Sequence, residues 1–278
     1  MKDSEQTQSG YGKMAEIYRS APRKTWYSSV ADAYNRARPR YPEEFVRRAT
    51  SQLPSDAILL EIGCGPGTAT TAFANFGFEM VCLEPSPEAC QLARENCQPY
   101  PNVEIQNTTF EDWELEPQKF HGILAATSFH WVSPEIRHIK AANALKNRGS
   151  LILLWNTPPQ PNAEIRQFLQ EIYQHQVPSL VWWEEKATHE KNIEQLGQMV
   201  IDSGLFEDLA TEQRICEATY SIDDYLALLS TLSQYIALEP QKRENLFDSL
   251  REAFVQNGIK TFPTSNLSVL QIAKKRDE

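Results

Sequence analysis

The segment Leu60-Glu61-Ile62-Gly63-Cys64-Gly65-Pro66-Gly67 constrains this chain more than any other. It joins the apolar run Ala57–Ile62, which reads as a buried strand, to a helix expected over Thr68–Phe76. Glycines at such a junction permit a tight turn and let the backbone approach a ligand closely. In open α/β sheets ligands bind at the carboxyl ends of the strands, which is where this loop would lie.

The flanking pattern is that of alternating strands and helices. Phe45, Ala49 and Leu53 follow Pro42 at fourfold spacing, one buried face of a short helix. Phe78–Leu83 reads as a second strand, and Ser86 then caps a helix that begins at Pro87 and runs to Asn96. Val103–Gln106, Phe120–Ala126 and Leu151–Trp155 read as further strands, and a helix from Ser133-Pro134 is expected to end near Gly149. Five apolar strands separated by helices imply an α/β fold: a doubly wound, mostly parallel sheet with helices on both faces.

Beyond that the pattern loosens. One domain over residues 1–278 is expected, with residues 1–33 as an N-terminal arm and residues 160–203 as a helical cap over the site. A strand over Gln213–Ala218, helices over Asp223–Ile236 and Gln241–Val255, and a last antiparallel edge strand over Leu267–Ala273 complete the reading.

Composition removes several function classes. The formal net charge of −10, without a long Lys/Arg run, argues against a nucleic-acid partner. The five cysteines are odd in number and form no Cys-x-x-Cys pair, and His121, His138, His175 and His189 show no metal-ligand spacing, so no metal is expected. The longest apolar run, Leu151–Trp155, is far too short for a membrane span. Met1–Gly10 is polar, so a reducing cytoplasm is the expected setting. With no strong coiled-coil pattern, the oligomeric state is left open.

The chemistry converges on Glu84, at the end of the second strand. A carboxylate there accepts hydrogen bonds from both hydroxyls of a ribose, so loop and carboxylate together point to a nucleoside-containing cofactor. A dinucleotide would favour G-x-G-x-x-G; here the spacing is G-x-G-x-G, and Pro66 removes one N–H that a pyrophosphate would use.

These residues resemble the class I S-adenosylmethionine-dependent methyltransferases, whose sheet is a seven-stranded Rossmann-like one. They resemble most the small-molecule branch that includes trans-aconitate methyltransferase. The likeness runs through Glu61–Gly67, Leu83–Ser86, Tyr34–Pro42, Thr109–Trp113, Ser128–Trp131 and Leu154–Asn156. It implies that S-adenosyl-L-methionine is the cofactor. It further implies that Gly63, Cys64 and Gly65 pass beneath the methionine part, that Glu84 holds the ribose and that Pro85 borders the adenine, with Thr109 and Phe110 beside its edge. Many relatives carry Asp where this chain has Thr109, a role that Thr109 would fill more weakly here or that Glu111 or Asp112 would take over.

The expected reaction is in-line methyl transfer to a small-molecule substrate, at a carboxylate or hydroxyl oxygen. A hydroxyl would require a base, for which His130 is the candidate catalytic residue, whereas a carboxylate would not. Arg36 and Arg38 are candidates for gripping a carboxylate of cofactor or substrate. The competing readings are an NAD(P)-dependent oxidoreductase on a related sheet and a non-catalytic module that binds the cofactor and a protein partner.

Overall fold

The computed structural model describes residues 28–277; residues 1–27, most of the expected N-terminal arm, lie outside them. A short 3₁₀ turn at Ser28–Val30 leads into α1 (Ala31–Ala37), followed by α2 (Glu43–Thr50). Then come β1 (Ile58–Ile62), α3 (Thr70–Ala74), β2 (Glu79–Leu83), α4 (Pro87–Asn96), β3 (Val103–Gln106) and β4 (Phe120–Ala126). After a 3₁₀ turn at Phe129–Trp131 follow α5 (Arg137–Ala144), β5 (Leu145–Asn156) and the two-residue β6 (Gln160–Pro161). The last part holds α6 (Ala163–Gln176), α7 (Lys186–Asp202), β7 (Phe206–Ser221), α8 (Ile222–Ser230), α9 (Ser233–Ile236), α10 (Pro240–Gln256) and β8 (Thr261–Lys275).

The first five strands are parallel and run β3–β2–β1–β4–β5. β8 continues the sheet antiparallel to β5, and both β7 and β6 pair with β8. The chain moves outward from β1 to β2 and β3, then returns to place β4 on the other side of β1. That reversal opens a crevice between the carboxyl ends of β1 and β4, the usual ligand position in such sheets.

Both faces of the sheet are buried, as its continuous apolar strands require. Leu60, Ile62, Val81, Leu83, Ile123 and Leu153 pack on one face; Leu59, Met80, Cys82, Leu124, Ile152 and Leu154 pack on the other. This is the period-two alternation of a strand. A third cluster, around Leu169, Tyr173, Tyr225, Tyr235, Phe254 and Phe262, joins α6, α8, α9 and α10 to the outer ends of β7 and β8.

Three sequence expectations are corrected. The sheet has eight strands among the described residues, the eighth being the two-residue β6. The last strand is no edge, because β8 lies between β5 and β7 along most of its length. The helix expected to reach Gly149 stops at Ala144: Leu145 is already paired with Phe120, and the ladder resumes at Gly122–Ser150 after an irregularity. Gly149 sits in that irregular segment, where an added Cβ would lie 2.9 Å from the Lys146 carbonyl oxygen.

Residues 160–203 hold β6 and two helices, and the helices go to different places. α6 buries Ile165, Leu169 and Tyr173 in the third cluster, whereas α7 lays Ile193, Leu196 and Val200 on the sheet.

Candidate cofactor and acceptor site

A cavity of about 230 Å³ opens at the carboxyl ends of β1, β2 and β4. Its floor is the glycine loop. Gly63 has φ +66°, and an added Cβ would lie 2.8 Å from the Ser128 Cβ. Only glycine takes that conformation at little cost and lets the ends of β1 and β4 meet. The Ser128 hydroxyl donates to the Ile62 carbonyl and ties the two strand ends together. Gly65 and Gly67 also have positive φ, at +55° and +87°.

Glu84 shapes the loop from the neighbouring strand. Its Oε2 accepts from the Gly65 N–H at 2.9 Å, and its Oε1 accepts from the Ser86 N–H at 2.8 Å. Burial raises the carboxyl's proton affinity above the ordinary value, and the two backbone donors oppose that rise. Each oxygen has lone pairs left for hydroxyl donors in the cavity. Ser86 caps α4 by accepting from the Ala89 N–H at 3.2 Å, as its place before Pro87 indicates.

The other expected residues fall around the same space. Gly63, Gly65, Glu84, Pro85, Thr109, Phe110 and His130 all line the cavity. Cys64 does not; it is buried and borders a small adjoining pocket with Tyr34, Tyr41 and Thr127. Thr109 Oγ1 accepts from the Asp112 N–H at 3.0 Å, and Phe110 stacks on Trp113 with ring centroids 6.0 Å apart. Glu111 lines the cavity too, while its Oε1 accepts from the Ser133 N–H at 3.0 Å.

His130 packs its ring against Trp131 and Trp155, at centroid distances of 4.6 and 5.6 Å. Burial, aided by the Arg137 charge, lowers its pKa to about 3. The imidazole is therefore neutral at physiological pH and a weak proton acceptor.

The far side of the cavity comes from α1 and the turn between α8 and α9. Tyr34, Arg38, Asn156, Pro158, Leu232, Ser233 and Gln234 line it. Among the described residues the lining on this side comes from α1, residues 156 and 158, and residues 232–234, with none from 160–203. Arg38 donates from Nε to Thr231 Oγ1 at 2.8 Å and from Nη2 to the Thr231 carbonyl at 2.7 Å. Its guanidinium also lies over the Tyr34 ring, 4.8 Å from the centroid. Arg36 is not in the cavity: it pairs with Asp224 at 3.3 Å on the surface, with 63% of its side chain exposed.

Thr127, at the end of β4, has φ +55°, a strained conformation for a β-branched residue. Its Oγ1 bonds the Tyr41 hydroxyl at 2.9 Å and accepts from the Asn156 N–H at 3.2 Å. Asn156 Nδ2 donates to the Pro39 carbonyl at 3.1 Å, and its Oδ1 accepts from the Ser268 hydroxyl. Sequence reasoning missed Thr127 and residues 232–234. No local motif marks them, and Thr231 meets Arg38 across 193 positions.

The lining chemistry suits a nucleoside that carries positive rather than negative charge. Among the described residues, Glu84 and Glu111 are the acids of the lining and Arg38 is its one cation. A pyrophosphate over the loop would face Glu84, and Pro66 offers it no N–H. Among the described residues no cluster of His, Cys, Asp or Glu is arranged to hold a metal. Among them, too, no helix is long and apolar enough to cross a membrane.

Comparison with known proteins agrees with this geometry. Residues 59–149 match the model of a methyltransferase domain family. An uncharacterized methyltransferase of Mycobacterium tuberculosis is 30% identical over 142 residues, covering 51% of this chain and 56% of that protein. The match thus spans little more than half of that relative. Among solved structures, one from Anaeromyxobacter dehalogenans described as a type II methyltransferase superposes with a TM-score of 0.61 at 21% identity, covering 86% of this chain and 97% of the other. Haemonchus contortus phosphoethanolamine N-methyltransferase 2, solved with S-adenosylhomocysteine and phosphomonomethylethanolamine, superposes with a TM-score of 0.51 at 15% identity, over 94% of this chain and 59% of its own. A nucleoside-type cradle at the switch point of this sheet accompanies these likenesses: residues 59–149 are similar to a methyltransferase domain, and the chain has the fold of the solved methyltransferases.

Proposed function

We propose that the chain transfers a methyl group from S-adenosylmethionine to an oxygen of a small acidic molecule, and that a carboxylate is the acceptor. The observation that carries this reading is the continuity of the cavity, from Glu84 past the Gly63–Ser128 contact to Arg38 and Asn156. When bound, the cofactor supplies a methyl carbon activated by its sulfonium.

The residues of the chain supply position. Glu84 would accept from the ribose hydroxyls, Gly63, Cys64 and Gly65 would run beneath the methionine part, and Pro85, Thr109 and Phe110 would border the adenine. His130 and Trp131 would wall the region where the methyl group lies, excluding water from it. Holding acceptor and methyl group in line accounts for much of the rate in such a displacement.

The choice of acceptor follows from protons. With its pKa near 3, His130 is poorly suited to deprotonate a hydroxyl. A carboxylate needs no base. Arg38, held by Thr231 and the Tyr34 ring, still has N–H groups for an anion. The motif likeness to the small-molecule branch supports an acceptor of modest size.

The test begins with calorimetric titration of S-adenosylhomocysteine, followed by a panel of small acids and alcohols scored for methyl ester or ether by mass spectrometry. Esters formed from acids, with an Arg38→Gln variant that raises KM for the acid, support the reading. Turnover of alcohols alone rejects the carboxylate, and absence of cofactor binding rejects methyl transfer.

A further inference from the structure

β7 is the long outer strand of the sheet. Among the described residues its one strand neighbour is β8, with which it pairs from Ala210 to Ser221 after an irregularity at Glu207–Ala210. The six residues Ala210–Ile215 are all exposed, on both faces of the strand. An edge of this kind carries a row of backbone donors and acceptors ready to pair, and proteins usually deter such pairing with charges. Here the charges have a different pattern. Glu212 and Arg214 are opposite in sign, share one face, and flank Gln213 symmetrically.

That symmetry has a geometric consequence. In an antiparallel pairing of β7 with a second β7 about a twofold axis at Gln213, Glu212 faces Arg214 of the partner subunit, and Arg214 faces Glu212 of the partner subunit. Thr211 then faces Ile215 of the partner subunit, which covers a large apolar side chain otherwise 44% exposed. β-branched cross-strand pairs and opposite charges each favour pairing. Moving the axis by one residue in either direction sets Glu212 against itself or Arg214 against itself, so the charges select one register. The charges are also held in place. Arg48 pairs with Glu212 at 3.0 Å, and Glu44 pairs with Arg214, both from α2 on the same face of the strand.

We propose that β7 is a self-complementary edge that joins two copies of this chain into a twofold dimer with one continuous sheet, its axis at Gln213. The partner is a second copy because the matched pattern of Glu212 and Arg214 repeats itself under that rotation. Such an isologous contact is closed and ends at two subunits. It lies at the sheet's outer edge, away from the residues that line the cavity, so it is independent of the methyl-transfer reading.

The experiment is sedimentation velocity of the full chain across micromolar concentrations, with the charge variants measured alone and mixed. The wild type is expected to reach twice the monomer mass. Glu212→Arg places two positive charges on each edge and Arg214→Glu two negative ones, so each variant alone is expected to dimerise at least tenfold more weakly. An equimolar mixture of the two is expected to recover the dimer as a heterodimer. In a Cys216→Ser background, Gln213→Cys is expected to form an intermolecular disulfide under mild oxidation, because only the residue on the axis meets its own copy; Thr219→Cys is expected not to. A wild type that stays monomeric overturns the proposal. So does a dimer indifferent to both charge variants, or a mixture that fails to pair.

Discussion

The Glu84 carboxylate accepts a hydrogen bond from the Gly65 backbone N–H at 2.9 Å, so the group at the end of β2 fixes the shape of the loop at the end of β1. On the proposed function, cofactor recognition and loop geometry share one side chain, and the two roles separate experimentally. Glu84→Ala is expected to weaken S-adenosylhomocysteine binding at least tenfold, about 1.4 kcal/mol. It also leaves the half-buried Gly65 and the buried Ser86 N–H groups without their acceptor, which is expected to cost about 1–3 kcal/mol of stability. Glu84→Gln keeps one acceptor oxygen and should fall between. Calorimetric titration beside urea unfolding measures both, and unchanged affinity would remove Glu84 from the ribose.

Gly63→Ala tests the floor of the cavity. At φ +66°, with the Ser128 Cβ 2.8 Å from the added methyl, either the backbone or β4 must shift. A loss of about 1–3 kcal/mol in stability is expected, together with loss of cofactor binding. Ser128→Gly in the same chain would relieve the contact and leave the backbone strain, so partial recovery of the melting temperature is the expected result.

Glu61 makes stability depend on pH in an unusual direction. It is fully buried beneath the loop, where its Oε2 accepts from the Thr70 hydroxyl at 2.6 Å, and desolvation raises its pKa from 4.5 to about 7. Below pH 4.5 the group is protonated in both folded and unfolded chains, and its contribution is fully present. As pH rises through 7 the unfolded chain has released the proton and the fold must either retain it or bury a charge, so stability is lost. The full effect is about 3 kcal/mol. Glu61→Gln should remove it, so the difference in unfolding free energy between variant and wild type is expected to grow from pH 5 to pH 8. A constant difference would show that Glu61 ionises normally.

His130 gives the opposite sign. Its pKa is lowered from 6.5 to about 3, so the fold keeps it neutral while the unfolded chain takes up a proton below pH 6.5. The stability it contributes is present above pH 6.5 and is lost as pH falls toward 3. With a carboxylate acceptor, kcat is expected to be flat between about pH 5.5 and 8, because no base titrates there. An inflection near pH 6.5 that disappears in His130→Gln would instead make this residue a general base.

The parallel core of the fold was legible in the sequence because its signals are local. Ala57–Ile62, Phe78–Leu83 and Phe120–Ala126 are apolar runs bounded by turn residues, and each became a strand within a residue of its expected limits. Ser86-Pro87 marked the start of α4 by capping alone. The last strand was legible as a strand but not as an inner one, since the sequence of β8 contains no statement about which strand lies beyond it. The helices of residues 160–203 were likewise legible, but their destinations were not. An amphipathic stripe says that a helix buries one face and is silent about what it buries it against.

The sequence by itself determined the glycine loop, the carboxylate that follows it on the next strand and the alternating order that brings both to one end of a sheet. Each of these is set by backbone conformation and by period along a short stretch of chain. Only the tertiary structure decided what surrounds them. It brought Arg38 to Thr231, carried Arg36 outward to Asp224, set Thr127 between Tyr41 and Asn156, and packed His130 against Trp131 and Trp155, where desolvation alters its chemistry. Those outcomes depend on desolvation and on contacts between residues far apart in the chain, and both exist only once the chain is packed.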